Sequence, residues 1–175
     1  MSTFREDPLL GFARVILTFL MGLAIFVGAV LVLVLPAVLL NQEAVVIELG
    51  KTGQVSGGDM IGAILAILGL VGFMAVVAFI FVRHLRRIVD TVRQGDPFIP
   101  VNAVRLRAMA WLSIVMQLAA LVAGALSMWL EEASKDLEAN FDVSIGGILL
   151  PLVLFILARV FRRGAEMRED LEGTV

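Results

Sequence analysis

Charged residues along this chain gather in five clusters, at 5–14, 43–59, 83–107, 131–142 and 159–172. Four nearly uncharged stretches lie between them, at 15–42, 60–82, 108–130 and 143–158. A helix needs roughly 20 apolar residues to cross about 30 Å of hydrocarbon. The first three stretches reach that length directly. The fourth reaches it once Phe141 and the residues just past Arg159 are included, with Arg159 extending its side chain to the headgroups. Isolated strands leave backbone groups unpaired in lipid, so helices are the economical spanning element. The pattern therefore predicts an all-α, integral membrane four-helix bundle running up-down-up-down. Its spans fall near 12–40, 60–82, 107–130 and 141–161, with an elbow at 83–106 and a tail at 162–175. Residues 1–175 form a single domain, because no linker or soluble module is left over.

Composition agrees with that pattern. Of the 175 residues, 60% are hydrophobic, and the mean hydropathy is +0.99. Soluble domains run nearer 45–50% apolar, so the excess is expected to face lipid. The run from Val15 to Leu40 exceeds the 7–15 residues of a signal-peptide core, and Glu6 and Asp7 spoil the basic flank such a peptide carries. It reads as an uncleaved first span. The chain has no cysteine, which excludes disulfides and thiolate metal sites.

Charge adds an orientation. Arg5 and Arg14, the six arginines from Arg83 to Arg107, and Arg159, Arg162, Arg163 and Arg168 make twelve basic residues in alternate clusters. The other two clusters hold only Lys51 and Lys135. Short cytoplasmic loops are enriched in Lys and Arg. Both termini and the elbow are therefore expected in the cytoplasm, and the 41–59 and 131–142 loops outside. The elbow arginines would then sit at anionic headgroups, each worth about 1 kcal/mol near the surface.

Within the elbow, Val82, Leu85, Val89 and Val92 recur at helical spacing, while Arg83, Arg86, Arg87, Asp90 and Arg93 take the other face. The second helix is thus predicted to continue for about three amphipathic turns. Gly95 suits the residue after the helix end, which adopts positive φ. Pro97 blocks renewed helix and Pro100 holds the chain extended. Asn102 is a candidate N-cap for the third helix. A corner needs Gly and Pro but not Phe98 and Ile99. These two either fold back onto the end of the bundle or form a docking knob. The candidate partner-binding set is accordingly Arg86, Arg87, Arg93, Gly95, Pro97, Phe98 and Asn102.

The run from Leu85 to Trp111, with the closing "ILARVFRRGAEMREDLEGTV", resembles the bacterial four-helix membrane proteins catalogued as domain of unknown function 2975. The G-x-P-F-x-x-x-N element is met at Gly95, Pro97, Phe98 and Asn102. The closing element is met at Phe161, Arg162, Gly164, Glu169 and Val175. The resemblance implies a bacterial inner-membrane protein and, as partner, a small helix-turn-helix transcription regulator. It implies no activity, and it does not reach the first helix or the 41–59 loop.

Candidate chemistry is sparse. The span centres hold no Asp, Glu, Lys or Arg, and the lone histidine, His84, adjoins Arg83 at the expected headgroup level. Converging acids, His, Cys or Ser are what an enzyme needs, so neither catalysis nor a cofactor or metal is expected. Gln117 is the most polar deep residue and is read as an interhelical hydrogen-bonding group. Gly58, Gly62, Ala66, Ala120 and Gly124, with Gly69, Gly72, Gly146 and Gly147, provide small surface for helix packing, within the chain or between copies in a homo-oligomer. The segment 41–59 is expected to form a small hairpin lid, because Val45–Ile47 is β-prone. The acidic tail is expected to be frayed and solvated, or alternatively a hook for a basic partner. The expected function is a non-enzymatic regulatory or sensory membrane protein that binds a cytoplasmic regulator and not nucleic acid directly. The alternatives are a small pore or carrier for an apolar or amphipathic compound and a structural subunit.

Overall fold

The computed structural model describes residues 8–49, 57–133 and 145–172. The protein is all-α. Its helices are α1 (Pro8–Leu40), α2 (Gln42–Leu49), α3 (Gly57–Arg93), α4 (Pro100–Ala133) and α5 (Ile145–Glu172). Three of them, α1, α3 and α4, are long and apolar enough to cross a membrane. The described part of α5 does not meet that measure. Its apolar run ends at Arg159, and Arg162 and Arg163 follow one turn on. Residues 141–144, the expected start of this span, lie outside the described residues.

Helix lengths explain the charge clusters. At 37 residues, α3 is about 55 Å long, well beyond the roughly 30 Å of a hydrocarbon core. Its last turns carry the arginines of 83–93, so the amphipathic extension expected there is a continuous part of the helix. Pro36 lies inside α1 and Pro151 inside α5. Each removes one backbone donor without ending its helix.

Neighbouring long helices are antiparallel. Arg14 meets Asp90 and Leu31 lies against Gly72 across α1 and α3. Met60 and Ala63 pack with Leu130 across α3 and α4. Trp111 meets Phe155 edge-on at 5.6 Å, and Gln117 lies on Gly147, across α4 and α5. Among the described residues the helices form an open row in which α1 packs on α3, α3 on α4 and α4 on α5, with no comparable packing of α1 on α5. An open row leaves large apolar faces bare. Only 6% of the most apolar window of α1 is buried by the rest of the chain. Phe12, Phe19, Phe26 and Leu33, seven residues apart, are all more than 60% exposed. The main core lies instead at the α3–α4 corner, where Ile88, Leu106, Met109, Ala110, Leu154 and Ala158 come together.

Three local expectations are corrected. Val45–Ile47 belongs to α2, not to a hairpin. Short apolar runs fit helix and strand alike, and here Asn41 keeps the chain helical. Its N–H and Nδ2 both donate to the Ala37 carbonyl, and its own carbonyl accepts from Val45 N–H. The Gly-Lys-Thr-Gly turn at 50–53 and most of the 131–142 loop lie outside the described residues. The tail is helical rather than frayed as far as Glu172, where α5 ends, and residues 173–175 lie outside the described residues. Pro100 is not extended but opens α4, at the first-turn position where a missing N–H costs nothing.

Candidate functional site at the α3–α4 corner

The end of α3 is closed by its own backbone. Gly95 adopts φ +84°. Its N–H donates to the Val92 carbonyl at 3.0 Å, and the Asp96 N–H donates to the Thr91 carbonyl at 3.2 Å. This paired arrangement is the Schellman end of a helix, which satisfies carbonyls that would otherwise be orphaned. Pro97 prevents further helix, and α4 opens three residues later at Pro100.

Asn102 is not an N-cap. It lies inside the first turn of α4, is fully buried, and turns its side chain back across the corner. Its Nδ2 donates to Thr91 Oγ1 at 2.7 Å and to the Pro97 carbonyl at 2.9 Å. Its Oδ1 accepts from Arg105 at 2.9 Å, and Arg105 also donates to the Arg87 carbonyl at 3.2 Å. Thr91 passes its own hydroxyl proton to the Ile88 carbonyl. The amide thus has partners at both nitrogen protons and at the oxygen, so burying it is inexpensive. It joins the last turn of α3, the loop and the first turn of α4.

Phe98 folds back. Its ring lies 5.2 Å from that of Phe161, tilted by 43°, and rests over Gly164. A Cβ on Gly164 would come within 2.7 Å of the Phe98 ring. Next to this contact Arg168 pairs with Asp96. Phe161, Gly164 and Arg168 are spaced to share one face of α5, so aromatic contact and ion pair form one strip. On the other side Arg14 of α1 reaches Asp90 at 3.6 Å. All four long helices are therefore tied at this end. Even so, Phe98 remains 41% exposed.

Of the predicted partner set, Gly95, Pro97, Phe98 and Asn102 are brought together. Arg87 contributes only its carbonyl, and Arg86 and Arg93 make no ion pair among the described residues. Sequence reasoning missed Thr91, Asp96, Arg105 and Arg168 as parts of the corner. Thr91 carried the one available signal, as a hydroxyl beside the apolar stripe one residue from Val92. Of the predicted packing residues, Gln117 contacts Gly147 and Gly124 is buried, with Ala120 half-buried beside them. Gly58 is exposed, and Gly62 and Gly69 face open space. Gly72, also expected to pack, does lie against Leu31 on α1. His84 Nδ1 is buried with no hydrogen-bond partner. No group of three His, Cys, Asp or Glu able to hold a metal occurs among the described residues.

A family model described as protein of unknown function (DUF2975) matches residues 54–175, more than half of the chain. The chain belongs to this family. No curated protein and no solved structure matches it. In this DUF2975 member the Schellman end, the Asn102 clamp and the Phe98–Phe161 contact all fall inside the matched region, whereas α1 and α2 fall wholly outside it. The corner is thus carried by family sequence, apart from the Arg14 tie.

Proposed function

We propose that this DUF2975 protein is a multi-pass protein of a bacterial inner membrane. Its four long helices would cross up-down-up-down, with both termini and the corner in the cytoplasm. It works as a non-enzymatic regulatory or sensory protein, and the corner with the end of α5 is the face that engages a cytoplasmic partner such as a small helix-turn-helix regulator. The observation that supports this reading is the strip joining Phe98 to Phe161 and Asp96 to Arg168. It couples the packing of α5 to the exposure of a large apolar side chain just past the end of α3, where Arg86 and Arg93 make no ion pair among the described residues. When α5 is docked, half of the Phe98 surface is covered. When α5 shifts, that surface becomes free, which is the differential contact a switch needs.

The membrane crossing rests on the bare apolar faces of α1, α3 and α4, since a continuous exposed apolar ridge of that extent is not stable in water. The orientation rests on the segregation of Lys and Arg. A photo-crosslinking residue placed at Phe98 or Arg93 in intact cells tests the docking face, with the captured species identified by mass spectrometry. A DNA-binding regulator captured at Phe98, and lost in Arg93→Glu, is the expected result. Capture of lipid alone at both positions sinks the reading. A fluorescent reporter joined to Val175 tests orientation separately.

A further inference from the structure

A groove of about 500 Å³ runs between the first turns of α4 and the charged half of α5. Its walls follow helical spacing. Pro100, Ala103 and Arg107 line it from α4, and Phe155, Ala158, Arg159, Arg162, Glu166 and Glu169 line it from α5. Buried Ala103, Ala158 and Ala165 keep the floor shallow in side chain and leave room above it. The antiparallel register set by Trp111 on Phe155 places Arg107 beside Arg159, at the end nearest the apolar run. Moving outward along α5, the order is Phe155, then the arginines, then the two glutamates.

Neither Arg107 nor Arg159 has a hydrogen bond or ion pair among the described residues. Arg162 makes one loose pair with Glu166, at 3.9 Å. Three arginines within about one helical turn of each other line this groove, two of them with no internal anion and the third held only loosely, and together they form a cradle for a phosphate, which guanidinium grips in a fork. An isolated phosphate would use only that cradle. The apolar wall inward of it and the carboxylates outward of it need a longer ligand. It must be apolar at one end, a phosphodiester in the middle and cationic at the other end.

We infer that this groove is a binding site for an aminophospholipid. The phosphodiester lies among Arg107, Arg159 and Arg162, an acyl chain lies along Phe155, and the primary ammonium points to Glu166 and Glu169. A headgroup ending in neutral glycerol leaves the carboxylates without a cation. A quaternary ammonium offers them no N–H donor. The site therefore ranks ethanolamine above glycerol and choline headgroups. This inference rests on the membrane reading above but not on the regulatory one.

The test is native mass spectrometry of the full chain released from nanodiscs holding equal parts of phosphatidylethanolamine, phosphatidylglycerol and phosphatidylcholine. The expected result is retained phosphatidylethanolamine. Arg107→Gln with Arg159→Gln lowers its retention by roughly tenfold or more. Glu166→Gln with Glu169→Gln keeps phospholipid bound but removes the preference for ethanolamine. Arg163→Gln, which deletes a charge outside the groove, changes nothing. Helix content by circular dichroism is required to be equal in all variants. Equal retention of the three lipids by the unaltered chain overturns the assignment, as does an equal loss in Arg163→Gln. Soaking in inorganic phosphate that displaces the lipid fully assigns the site to free phosphate and likewise overturns it. Recovery of the chain in the soluble fraction of lysed cells is a separate readout that would fail the membrane reading instead.

Discussion

The side-chain amide of Asn102 donates to Thr91 Oγ1 at 2.7 Å across the corner, eleven residues apart in sequence and buried from solvent. Removing the amide strands the Pro97 carbonyl and leaves Arg105 with only the Arg87 carbonyl. Asn102→Ala is expected to cost about 1–3 kcal/mol, the range for leaving buried polar groups unpaired. Thr91→Val removes the acceptor but keeps the shape, and is expected to cost about 1 kcal/mol. Combined, the two should cost less than their sum, because they share the bond. The unfolding midpoint in mild detergent, taken as a double-mutant cycle, checks this. Additive costs would mean the contact is energetically silent.

Gly164 is small because Phe98 occupies the space its side chain would fill. Gly164→Ala brings Cβ within 2.7 Å of the ring and should push Phe98 off Phe161, at about 1–3 kcal/mol for overpacking. Amide exchange over residues 94–99 should accelerate. Phe98→Ala in the same chain should return the end of α5 to its place, because the overlap is gone. If the double variant exchanges as fast as Gly164→Ala alone, the glycine acts on the helix backbone and not on the ring.

The corner could be read in the sequence as far as its backbone chemistry reached. Gly95 and Pro97 gave the stop, and Val82 to Val92 gave the extended helix, because helix ends have residue types of their own. Asn102 could be singled out but not placed. An Asn near a helix start is usually a cap, and only the fold reveals that Pro100 takes the first turn and turns the amide inward. Arg168 and Asp96 are 72 residues apart, and no local pattern pairs them. The row of helices was also not legible. Apolar periodicity marks surfaces that avoid water, and lipid-facing and helix-facing positions are equally apolar, so Gly62 and Gly72 looked alike. The short α2 fails for a similar reason, since eight residues are too few for periodicity to separate helix from strand.

The Asp96–Arg168 pair is partly exposed, with side chains 36% and 49% accessible, so its net worth is expected to be under about 1 kcal/mol. Its effect should be on docking rather than on global stability. Arg168→Glu should speed amide exchange in the last turns of α5 and leave the unfolding midpoint within about 0.5 kcal/mol. Asp96→Arg with Arg168→Glu should restore protection in part. Raising salt to about 0.5 M should mimic the single variant, because exposed pairs are screened.

His84 holds a buried Nδ1 with no partner. A polar atom in that state costs stability, and replacing it with an apolar ring of similar size is neutral or favourable. His84→Phe is expected to leave the unfolding midpoint unchanged or raise it by about 1 kcal/mol. A drop beyond about 1 kcal/mol, measured in the same detergent, would mean that His84 makes a bond on which the fold depends.

Two glycine positions separate packing within the chain from any use of the outer face. Gly147 lies under Gln117, and a Cβ there would overlap the Gln117 amide. Gly147→Ala should therefore loosen α5 from α4, at about 1–2 kcal/mol of overpacking, and Gln117→Ala should relieve most of that cost. Gly62 and Gly69 meet nothing within 4 Å. Leu at either position should fold as well as the parent, and the added side chain should slightly raise helix propensity, since glycine is the poorer helix former by nearly 1 kcal/mol. The unfolding midpoint of Gly62→Leu with Gly69→Leu is thus expected to equal or exceed that of the parent chain. A lower midpoint would require those glycines to lie against another helix, which the open row of this chain does not supply, and copies of the chain in the same micelle would then have to supply it. Repeating the measurement at tenfold lower protein concentration per micelle decides the matter, because a contact within one chain is indifferent to dilution and a contact between copies is not.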